Sequence, residues 1–514
     1  MPSPRSLVLI TVDCLRADHC GFLGYSRPTT PFLDRLAAQS WVFSDAIVAG
    51  VPTYYSLPSI LASRYPLALG RDIVGLAPDE PTLVSTLKDA GYATACFGAA
   101  NPYLSRQFGY DRGFETFHDF LDPEANSISP HDGLPEENSN MHSRANQPGS
   151  RTNNKLARIS ARLGMNSLYD ELYFQYCQRF AAPAVQSLDS LRPYPTADMI
   201  VDQAQAWLAS RTEDPFFLWL HLMDPHAPYY PTQEGLAMMG NGSITPSRTR
   251  YVNGYWNRRD VEPSKLARQR ETLVQLYDAG IRWMDEQVKR LVEILRQLEL
   301  WEKCGLVFTA DHGEEFLEHG GRYHAPSKLA QELLHVPLLL RIPGASPRNV
   351  NSLFSLLDLA PTVLDSLGVG SPSAFQGKSR YRQIELRENW NSPALTECIS
   401  NCQNPFVLQD RMGQRLLCVL EGQYKLVVDF AHREEQLFDL ATDPEERLPL
   451  PKDAAARTRR RLLEIAHAHI ESSSRERNFR FRLATLLRDA KRTITTQSYV
   501  DHLQTKAESQ ECAR

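Results

Sequence analysis

An acidic residue and a histidine stand side by side at Asp311 and His312, directly after the apolar run Leu306–Thr309. The N-terminus repeats this arrangement, because the apolar run Leu7–Val12 ends on Asp13. In α/β enzymes, side chains that follow the carboxyl ends of parallel strands face the active-site crevice. Carboxylate oxygens and an imidazole nitrogen together suit Mn, Ca, Mg or Zn. We therefore predict that Asp13, Asp311 and His312 meet at one divalent-metal site.

A third apolar run, Phe216–Leu222, leads into a loop that carries His226. Pro225 and Pro228 restrict the backbone of this loop, because each proline ring fixes its own φ angle. A histidine held on such a rigid turn is suited to binding an anion or to protonating a leaving group. We expect His226 to lie at the same edge of the sheet as the acidic residues.

A hydroxyl side chain begins a predicted helix at Thr53, within the run Gly50–Pro66. A threonine in this place is suited to capping the helix. It is also suited to nucleophilic attack, because a helix N-terminus stabilises negative charge. Threonine is a poor nucleophile unless a base or a metal ion removes its proton. A metal ion at the neighbouring strand ends would meet that requirement.

The segments that must position these side chains alternate between strands and helices. The predicted strands are Leu7–Val12, Ala93–Phe97, Phe216–Leu222, Leu306–Thr309 and Val336–Arg341. The predicted helices are Thr30–Gln39, Pro81–Ala90, Ala197–Ser210 and Leu266–Leu300. Such alternation is typical of an α/β fold with a large, mostly parallel central sheet flanked by helices. The residues that could do chemistry would then share one edge of that sheet.

The composition and the secondary-structure pattern of the sequence change along the chain, and these changes predict its domain organisation. Residues 1–385 hold the strand and helix alternation and form the predicted catalytic domain, which a polar loop and helical insertion interrupts over 121–195. Short strands over 386–450 predict a small antiparallel C-terminal subdomain. Residues 451–514 are basic and helical in pattern, and we interpret them as a tail packed on the domain.

The bulk composition excludes several classes of protein. The chain has 514 residues and a formal net charge of −5, which gives no indication of a nucleic-acid partner. No segment approaches the roughly 20 apolar residues of a membrane span. The nine cysteines form no CxxC pair, although Cys398 and Cys402 are close enough in sequence to pair. We therefore predict a reduced, cytoplasmic location, and the oligomeric state stays open, a homo-oligomer included.

Several sequence motifs surround the candidate residues in a fixed order. They are Leu15–His19, Arg27–Leu36, Leu61–Pro66, Asp224–Tyr229, Thr309–Glu314, His335–Leu338, Gln436–Leu440 and Asp443–Glu445. Together with Asp13 they resemble the motifs of the sulfatase family, in the alkaline phosphatase superfamily, from about residue 6 to about residue 445. The resemblance implies an alkaline phosphatase-like α/β fold followed by a small C-terminal sheet.

The catalytic positions depart from those of a formylglycine sulfatase. Members of the family carry Cys or Ser in a Cys-x-Pro-x-Arg pattern that matures to formylglycine, and Thr53 takes that place here. Because threonine cannot mature in this way, no formylglycine is expected. A register shifted by three residues would instead place Ser56 there. The second Asp of the family's Asp-Asp pair is Cys14, and the sulfate-binding Lys and His fall at Ala99 and Asn101.

The set that remains resembles the single-metal site of phosphonate monoester hydrolases and of threonine-using phosphoglycerol or phosphoethanolamine transferases, often a manganese site. Its members, the predicted metal ligands, are Asp13, Thr53, Asp311 and His312. The resemblance implies a metal-dependent hydrolase of sulfate or phosphate (di)esters in which Thr53 attacks sulfur or phosphorus. His226 or His324 would protonate the leaving alcohol. The predicted anion-binding residues are Asn101, His226, His324 and Lys328.

Two alternatives stay open beside hydrolysis of a small-molecule or glycan ester. One is a phosphotransferase that moves a phospho-alcohol group to an acceptor. The other is a non-catalytic binding protein on the same scaffold. Cys14 and Ala99 are consistent with lost activity, whereas the retained metal ligands argue against it. Sulfate monoesters and phosphodiesters carry the same single charge, so the sequence leaves the choice between them open.

Overall fold

A computed structural model describes residues 6–71, 73–121, 166–176, 178, 187–211, 215–402 and 404–473. Most of the predicted insertion over 121–195, and residues 474–514 of the predicted tail, lie outside these described residues.

The strands and helices are numbered in chain order. The strands are β1 Ser6–Val12, β2 Trp41–Phe43, β3 Ala46–Ile47, β4 Ala93–Gly98, β5 Thr116–His118, β6 Phe216–Leu222, β7 Cys304–Ala310, β8 Glu315–Phe316, β9 Arg322–Tyr323, β10 His335–Val336, β11 Leu338–Arg341, β12 Arg348–Val350, β13 Phe354–Ser355, β14 Ala394–Ile399, β15 Arg415–Glu421, β16 Tyr424–Asp429 and β17 Glu434–Asp439. The helices are α1 Pro31–Ala37, α2 Thr53–Ala62, α3 Leu83–Asp89, α4 Asn166–Tyr176, α5 Ala197–Ala209, α6 Gln233–Met238, α7 Pro246–Trp256, α8 Pro263–Gln297, α9 Gln331–Leu334, α10 Leu359–Ser366, α11 Tyr381–Glu385 and α12 Leu408–Arg411. A further helix covers residues 456–473 and is called the C-terminal helix.

The central sheet contains eight strands in the order β12-β2-β11-β7-β1-β6-β4-β5. The five strands from β7 to β5 are mutually parallel, and β11 runs antiparallel to both of its neighbours. Every residue of β1, β6 and β7 is buried. Strands covered on both faces need mostly apolar side chains, which explains why these three are nearly continuous apolar runs. The predicted α/β class with a mostly parallel central sheet is confirmed.

One predicted strand, Val336–Arg341, was wrong as a single element. Its first residue belongs to β10, which pairs with β3 in a separate three-stranded sheet, and its last four residues form β11 of the central sheet. Pro337 stands between the two strands. A proline has no N–H for a sheet hydrogen bond, so the chain leaves one sheet and enters another at this residue.

The C-terminal sheet has four antiparallel strands in the order β14-β15-β16-β17. Alternate residues of β15 point to opposite faces, as they must in a strand. Leu416, Cys418 and Leu420 join the main core. Leu417 and Val419 pack with apolar residues of the C-terminal helix, such as Leu462 and Ala466. The small sheet therefore lies between the main core and this helix, the described part of the predicted tail.

Among the described residues, no helix combines the length and the apolarity that a membrane crossing requires.

Candidate active site

Adjacent strands carry the two predicted acidic ligands to one edge of the central sheet. β1 lies between β7 and β6, with Val12 in register with Ala310 on one side and with Leu222 on the other. Asp13 continues β1, and its N–H donates to the carbonyl oxygen of Leu222 at 2.8 Å. Asp311 continues β7, and its N–H donates to the carbonyl oxygen of Val12 at 3.4 Å. Because parallel strands end at the same edge, both side chains reach one place, and both are fully buried.

Thr53 and His312 complete this cluster. Thr53 is the first residue of α2, and its Oγ1 lies 3.1 Å from Nε2 of His312. The same nitrogen lies 3.6 Å from a carboxylate oxygen of Asp13 and 3.6 Å from one of Asp311. Nδ1 of His312 bonds the carbonyl oxygen of Gly313 at 2.9 Å. A carbonyl only accepts, so Nδ1 carries the proton and Nε2 presents its lone pair to the cluster.

Asp13, Thr53, Asp311 and His312 are called the ligand cluster below.

Ser56, the alternative nucleophile, has a different role in the structure. It lies one turn further along α2 and is fully buried. Its hydroxyl donates to the backbone carbonyl oxygen of Asp311 at 2.5 Å. Of the two hydroxyls, Thr53 therefore faces the carboxylates and imidazole, while Ser56 fastens the helix to the end of β7.

Gly313 is required by close packing. A Cβ atom on this residue would lie 1.9 Å from the backbone oxygen of Glu332, which is far too close for any side chain. The turn after His312 therefore admits only glycine, for lack of space and not for a left-handed backbone angle.

The carboxylates of Asp13 and Asp311, together with His221 beside the ligand cluster, fit a divalent cation. Asp311 Oδ2 and His221 Nε2 are buried, and neither has a hydrogen-bond partner among the described residues. Buried polar atoms are nearly always paired, so each unpaired one needs an explanation. One ligand atom each from Asp13, His221 and Asp311 lie within 4.8 Å of one another. Carboxylate oxygens and imidazole nitrogens arranged in this way are ligands that a divalent metal accepts.

Burial and neighbouring charges shift the pKa values of the two carboxylates in opposite directions. Burial raises the pKa of Asp311, and the negative charge of Asp13 raises it further. Burial acts in the same direction on Asp13, but the charge of His226 and the neighbouring His221 ring hold its pKa well below the ordinary value. A cation between the two carboxylates would attract both and remove their repulsion.

Asn101 orients one of these carboxylates. Its Nδ2 donates to Oδ2 of Asp13 at 2.8 Å, and its Oδ1 accepts from the N–H of Tyr103 at 2.9 Å. The second contact caps a short helical turn and fixes which way the amide points. Asn101 thus lies at the ligand cluster, where it also holds Asp13 in place.

His226 and His324 form the more accessible wall of the site. Nε2 of His226 lies 3.9 Å from Asp13, and the side chains of the two histidines are 21% and 22% exposed. The ring centroid of His324 lies 4.5 Å from the ring centroid of His312 and 5.2 Å from that of His226. Burial lowers the pKa of His324, but the charge of Glu314 and a 3.2 Å contact with it outweigh burial and raise that pKa to about 9. His324 therefore carries a proton at neutral pH.

Lys328 makes its contacts at a neighbouring ion-pair cluster. Its Nζ donates to Oε1 of Glu315 at 3.2 Å and to the carbonyl oxygen of His319. Nδ1 of His319 lies 2.7 Å from Glu332. The structure thus brings together Asp13, Thr53, Asn101, His226, Asp311, His312 and His324 and places Lys328 on other partners. A role for Lys328 in anion binding stays a prediction.

The His319–Glu332 pair makes part of the stability depend on pH. The hydrogen bond to Glu332 raises the pKa of His319 to about 9, above the ordinary value of about 6.5. Its contribution is complete below pH about 6.5 and disappears as pH rises through about 9. Because the pair is partly exposed, we expect about 1 kcal/mol or less.

Thermal melts of the wild type and of His319→Gln between pH 6 and pH 10 measure this contribution. The difference in Tm should be largest at the acid end and should shrink toward pH 10. A difference that is constant over this range would contradict the expected linkage.

His221 is the site residue that sequence reasoning left without a role. Its Nδ1 lies 2.8 Å from the hydroxyl of Thr11, and its Nε2 lies 3.5 Å from Asp13. The signal was present in the sequence, because an imidazole inside the otherwise apolar strand Phe216–Leu222 needs a buried polar partner. Which neighbour would supply that partner depended on the strand order, since β6 lies beside β1.

Comparison with known proteins places the chain in a family. The sulfatase family model matches residues 5–369, and the protein belongs to the sulfatase family. A second model, of the C-terminal region of N-sulphoglucosamine sulphohydrolase, matches residues 322–466 and so includes the four-stranded sheet. The predicted resemblance to this family is confirmed.

The curated relatives include arylsulfatases. Arylsulfatase K of Bos taurus is 27% identical over 284 residues, which cover 48% of this chain and 50% of that protein. The matched segments span 29% to 50% of the length of the first three curated relatives, all arylsulfatase K proteins. An arylsulfatase of Clostridium perfringens is 24% identical over 474 residues and covers 86% of this chain and 89% of the relative.

Two solved structures show the same fold. One, a complex with its substrate D-glucosamine-2-N,6-O-disulfate, has a TM-score of 0.65 at 15% identity and covers 92% of this chain and 98% of that one. The phosphonate monoester hydrolase of Agrobacterium radiobacter has a TM-score of 0.61 at 17% identity and covers 92% and 96%. At these identities the likeness concerns the fold alone.

Proposed function

We propose that this protein is a metal-dependent hydrolase of sulfate or phosphate (di)esters that uses Thr53 as its nucleophile. The observation that carries the proposal is the position of the Thr53 hydroxyl. It lies 3.1 Å from His312 Nε2 at the N-terminus of α2, beside two fully buried carboxylates. Family membership and the names of the arylsulfatase relatives support an ester of this kind.

The ligand cluster would hold one divalent cation, with Mn, Ca, Mg and Zn as the candidates. A cation bound there lowers the pKa of a neighbouring hydroxyl and polarises a non-bridging oxygen of the ester. Asp13 and Asp311 supply the negative charge that holds it, and Asn101 keeps the Asp13 carboxylate in one orientation.

The chain's own residues then divide the work of ester cleavage. The Thr53 oxygen, whose proton would pass to solvent when the cation binds, forms a bond to sulfur or phosphorus while the bond to the leaving alcohol breaks. His324, protonated at neutral pH, donates its proton to the leaving oxygen. Water next attacks the same sulfur or phosphorus, gives its proton to His324 and releases the threonine oxygen. The positive end of the α2 dipole favours the charge that develops beside Thr53.

The lack of a positively charged side chain at residues 99 and 101 favours a singly charged ester group. Ala99 and Asn101 carry no positive charge, so a dianionic phosphate monoester would be poorly neutralised. Sulfate monoesters and phosphodiesters or phosphonate monoesters each carry one negative charge. The sulfatase relatives favour sulfate, on a small molecule or a glycan, whereas a threonine nucleophile favours phosphorus.

A panel of aryl esters tests this function. Aryl sulfate, phosphate monoester, phosphodiester and phosphonate ester are each incubated with protein loaded with Mn, Mg, Zn or Ca. We expect release of the phenol from singly charged esters and little from the phosphate monoester. Release from none of them with any metal would overturn the hydrolase and favour a phosphotransferase or a binding protein. Transfer of the group to added alcohols would then separate those two.

Replacing His324 with glutamine is expected to slow hydrolysis of esters with poor leaving alcohols by about 10²–10⁴-fold. Esters of nitrophenol need little protonation of the leaving oxygen, so their rates should change much less. For esters with poor leaving alcohols, the wild-type rate should fall at high pH as His324, whose pKa is raised to about 9 in the metal-free site, loses its proton. Rates for both ester types over pH 6 to 10 measure these effects. His319→Gln is the matched control, and an equal loss for both ester types would contradict the role of His324.

A further inference from the structure

Cys14 places a thiol beside the ligand cluster. It follows Asp13 directly, is fully buried, and its Sγ lies 3.1 Å from Oδ1 of Asp13. The same sulfur lies 3.2 Å from Nδ1 of His324. Ligand atoms of Cys14, Asp13 and His312 lie within 4.8 Å of one another, as do those of Cys14, His226 and His324. The thiol therefore lies beside Asp13 and His312, two of the proposed metal ligands.

The backbone of Cys14 is held on both sides. Its N–H donates to Oδ1 of Asp311 at 3.3 Å, and its carbonyl oxygen accepts from the Tyr277 hydroxyl at 2.7 Å. Its φ angle is 62°, in the left-handed region that few residues other than glycine adopt. These contacts keep the sulfur on the side of the carboxylates.

Unpaired buried atoms beside the thiol indicate that a ligand is expected there. Asp311 Oδ2 and His221 Nε2 have no hydrogen-bond partner among the described residues, and both side chains are fully buried. Their contacts, 3.6 Å from Asp311 to His312 and 3.5 Å from His221 to Asp13, are long for hydrogen bonds. A cation between the carboxylates would satisfy the unpaired oxygen of Asp311.

We infer that Cys14 is itself a ligand of the cation and that its sulfur makes the site select zinc over calcium. The inference rests on the metal site of the proposed function. On binding, the thiol would lose its proton to water and one sulfur–metal bond would replace a metal–water bond, with no change of oxidation state. The zinc would then have sulfur, nitrogen and oxygen ligands, whereas calcium takes six to eight oxygens.

Two distances between these ligand atoms are compatible with bonds to one zinc ion. Zinc bonds of about 2.0 to 2.3 Å place neighbouring tetrahedral ligand atoms about 3.4 Å apart. Cys14 Sγ lies 3.1 Å from Asp13 Oδ1, and the same oxygen lies 3.6 Å from His312 Nε2. Cys14 would thus join Asp13, Asp311 and His312 as a fourth protein ligand. The Thr53 hydroxyl lies beside them, 3.1 Å from His312 Nε2.

Cobalt substitution tests the sulfur ligand without any activity assay. The full-length protein is stripped with a chelator and reloaded with Co²⁺, whose thiolate complexes absorb in the near ultraviolet by sulfur-to-metal charge transfer. We expect this band in the wild type and in Cys418→Ser, which changes a buried thiol of the C-terminal sheet. Cys14→Ser should still bind cobalt but should lack the band.

Equilibrium dialysis with zinc and calcium measures the selectivity. Cys14→Ser should bind zinc at least about tenfold more weakly, or ~1.4 kcal/mol, with calcium affinity little changed. Cys14→Asp, which supplies a hard oxygen instead of sulfur, should favour calcium. Circular dichroism melts establish that each variant is folded.

Two kinds of result would overturn the inference. One would leave the proposed function standing, and the other would overturn it as well. Cys14 is not a metal ligand if the wild type binds cobalt without the charge-transfer band. The same conclusion follows if folded Cys14→Ser binds zinc with wild-type affinity. The metal-dependent hydrolase with Thr53 would then still stand. A wild-type protein that binds no divalent cation at all would overturn both the sulfur ligand and the proposed function.

Discussion

Thr53→Ala should lower ester hydrolysis by at least about 10⁴-fold, the scale seen when a covalent nucleophile is removed. The variant keeps the carboxylates and the imidazole but lacks the oxygen that forms the covalent bond. Ser56 is not expected to replace it, because its hydroxyl donates to the backbone oxygen of Asp311. Steady-state rates on the best ester of the panel measure the loss, and thermal melts measure the fold.

Two matched variants separate chemistry from structure. Thr53→Ser retains a hydroxyl in the same place, so it should keep much of the activity. Ser56→Ala removes a buried hydrogen bond worth about 1 kcal/mol, and it should lower Tm while leaving turnover. Activity of Thr53→Ala near that of the wild type would refute the nucleophile. If Ser56→Ala lost activity without losing stability, Ser56 would be the nucleophile, as in the register shifted by three residues.

Removing the metal should abolish turnover and also destabilise the fold. Without a cation, Asp13 and Asp311 remain buried side by side, and their repulsion opposes folding. A ligand that binds only the folded state at 100 times its Kd stabilises it by about 2.7 kcal/mol. We therefore expect Tm to fall on chelation and to recover when the metal is restored. Differential scanning calorimetry with added chelator and with graded metal measures both changes.

A ligand variant and a matched buried acid sharpen this experiment. Asp311→Asn removes a charged ligand, so it should lose turnover and most of the increase in Tm that metal produces. Asp278 is another fully buried acid, but it pairs with His19 and Arg27. Asp278→Asn should melt at a lower temperature and still respond to metal as the wild type does. A full metal response in Asp311→Asn would contradict the ligand assignment.

The central sheet and the ligand cluster were predictable for the same physical reason. A parallel strand buried on both faces must be apolar along its whole length, so its end is visible as the first charged residue. Asp13 and Asp311 are such residues, and strand ends of a parallel sheet lie at one edge. Thr53 was recognised because it begins a helix, where a hydroxyl has an unusual electrostatic setting.

Other features depended on partners that are distant in sequence. The division of Val336–Arg341 between two sheets follows from which strands lie beside it, although Pro337 marked the break. Lys328 donates to the backbone oxygen of His319 because the loop between them folds back on itself, and the sequence pattern does not predict that loop conformation. The need for Gly313 arises from the backbone of Glu332, a close approach that only folding produces.

The sequence by itself determined which residue types could form a metal site and which strand ends would carry them, because burial and strand periodicity are local properties. It also marked Thr53 and Cys14 as departures from the usual family residues. Only the tertiary structure decided how these side chains face one another. Thr53 rather than Ser56 points at His312, and Cys14 lies against Asp13 and His324. Such choices depend on strand order and on contacts across hundreds of residues, and these arise when the sheet assembles.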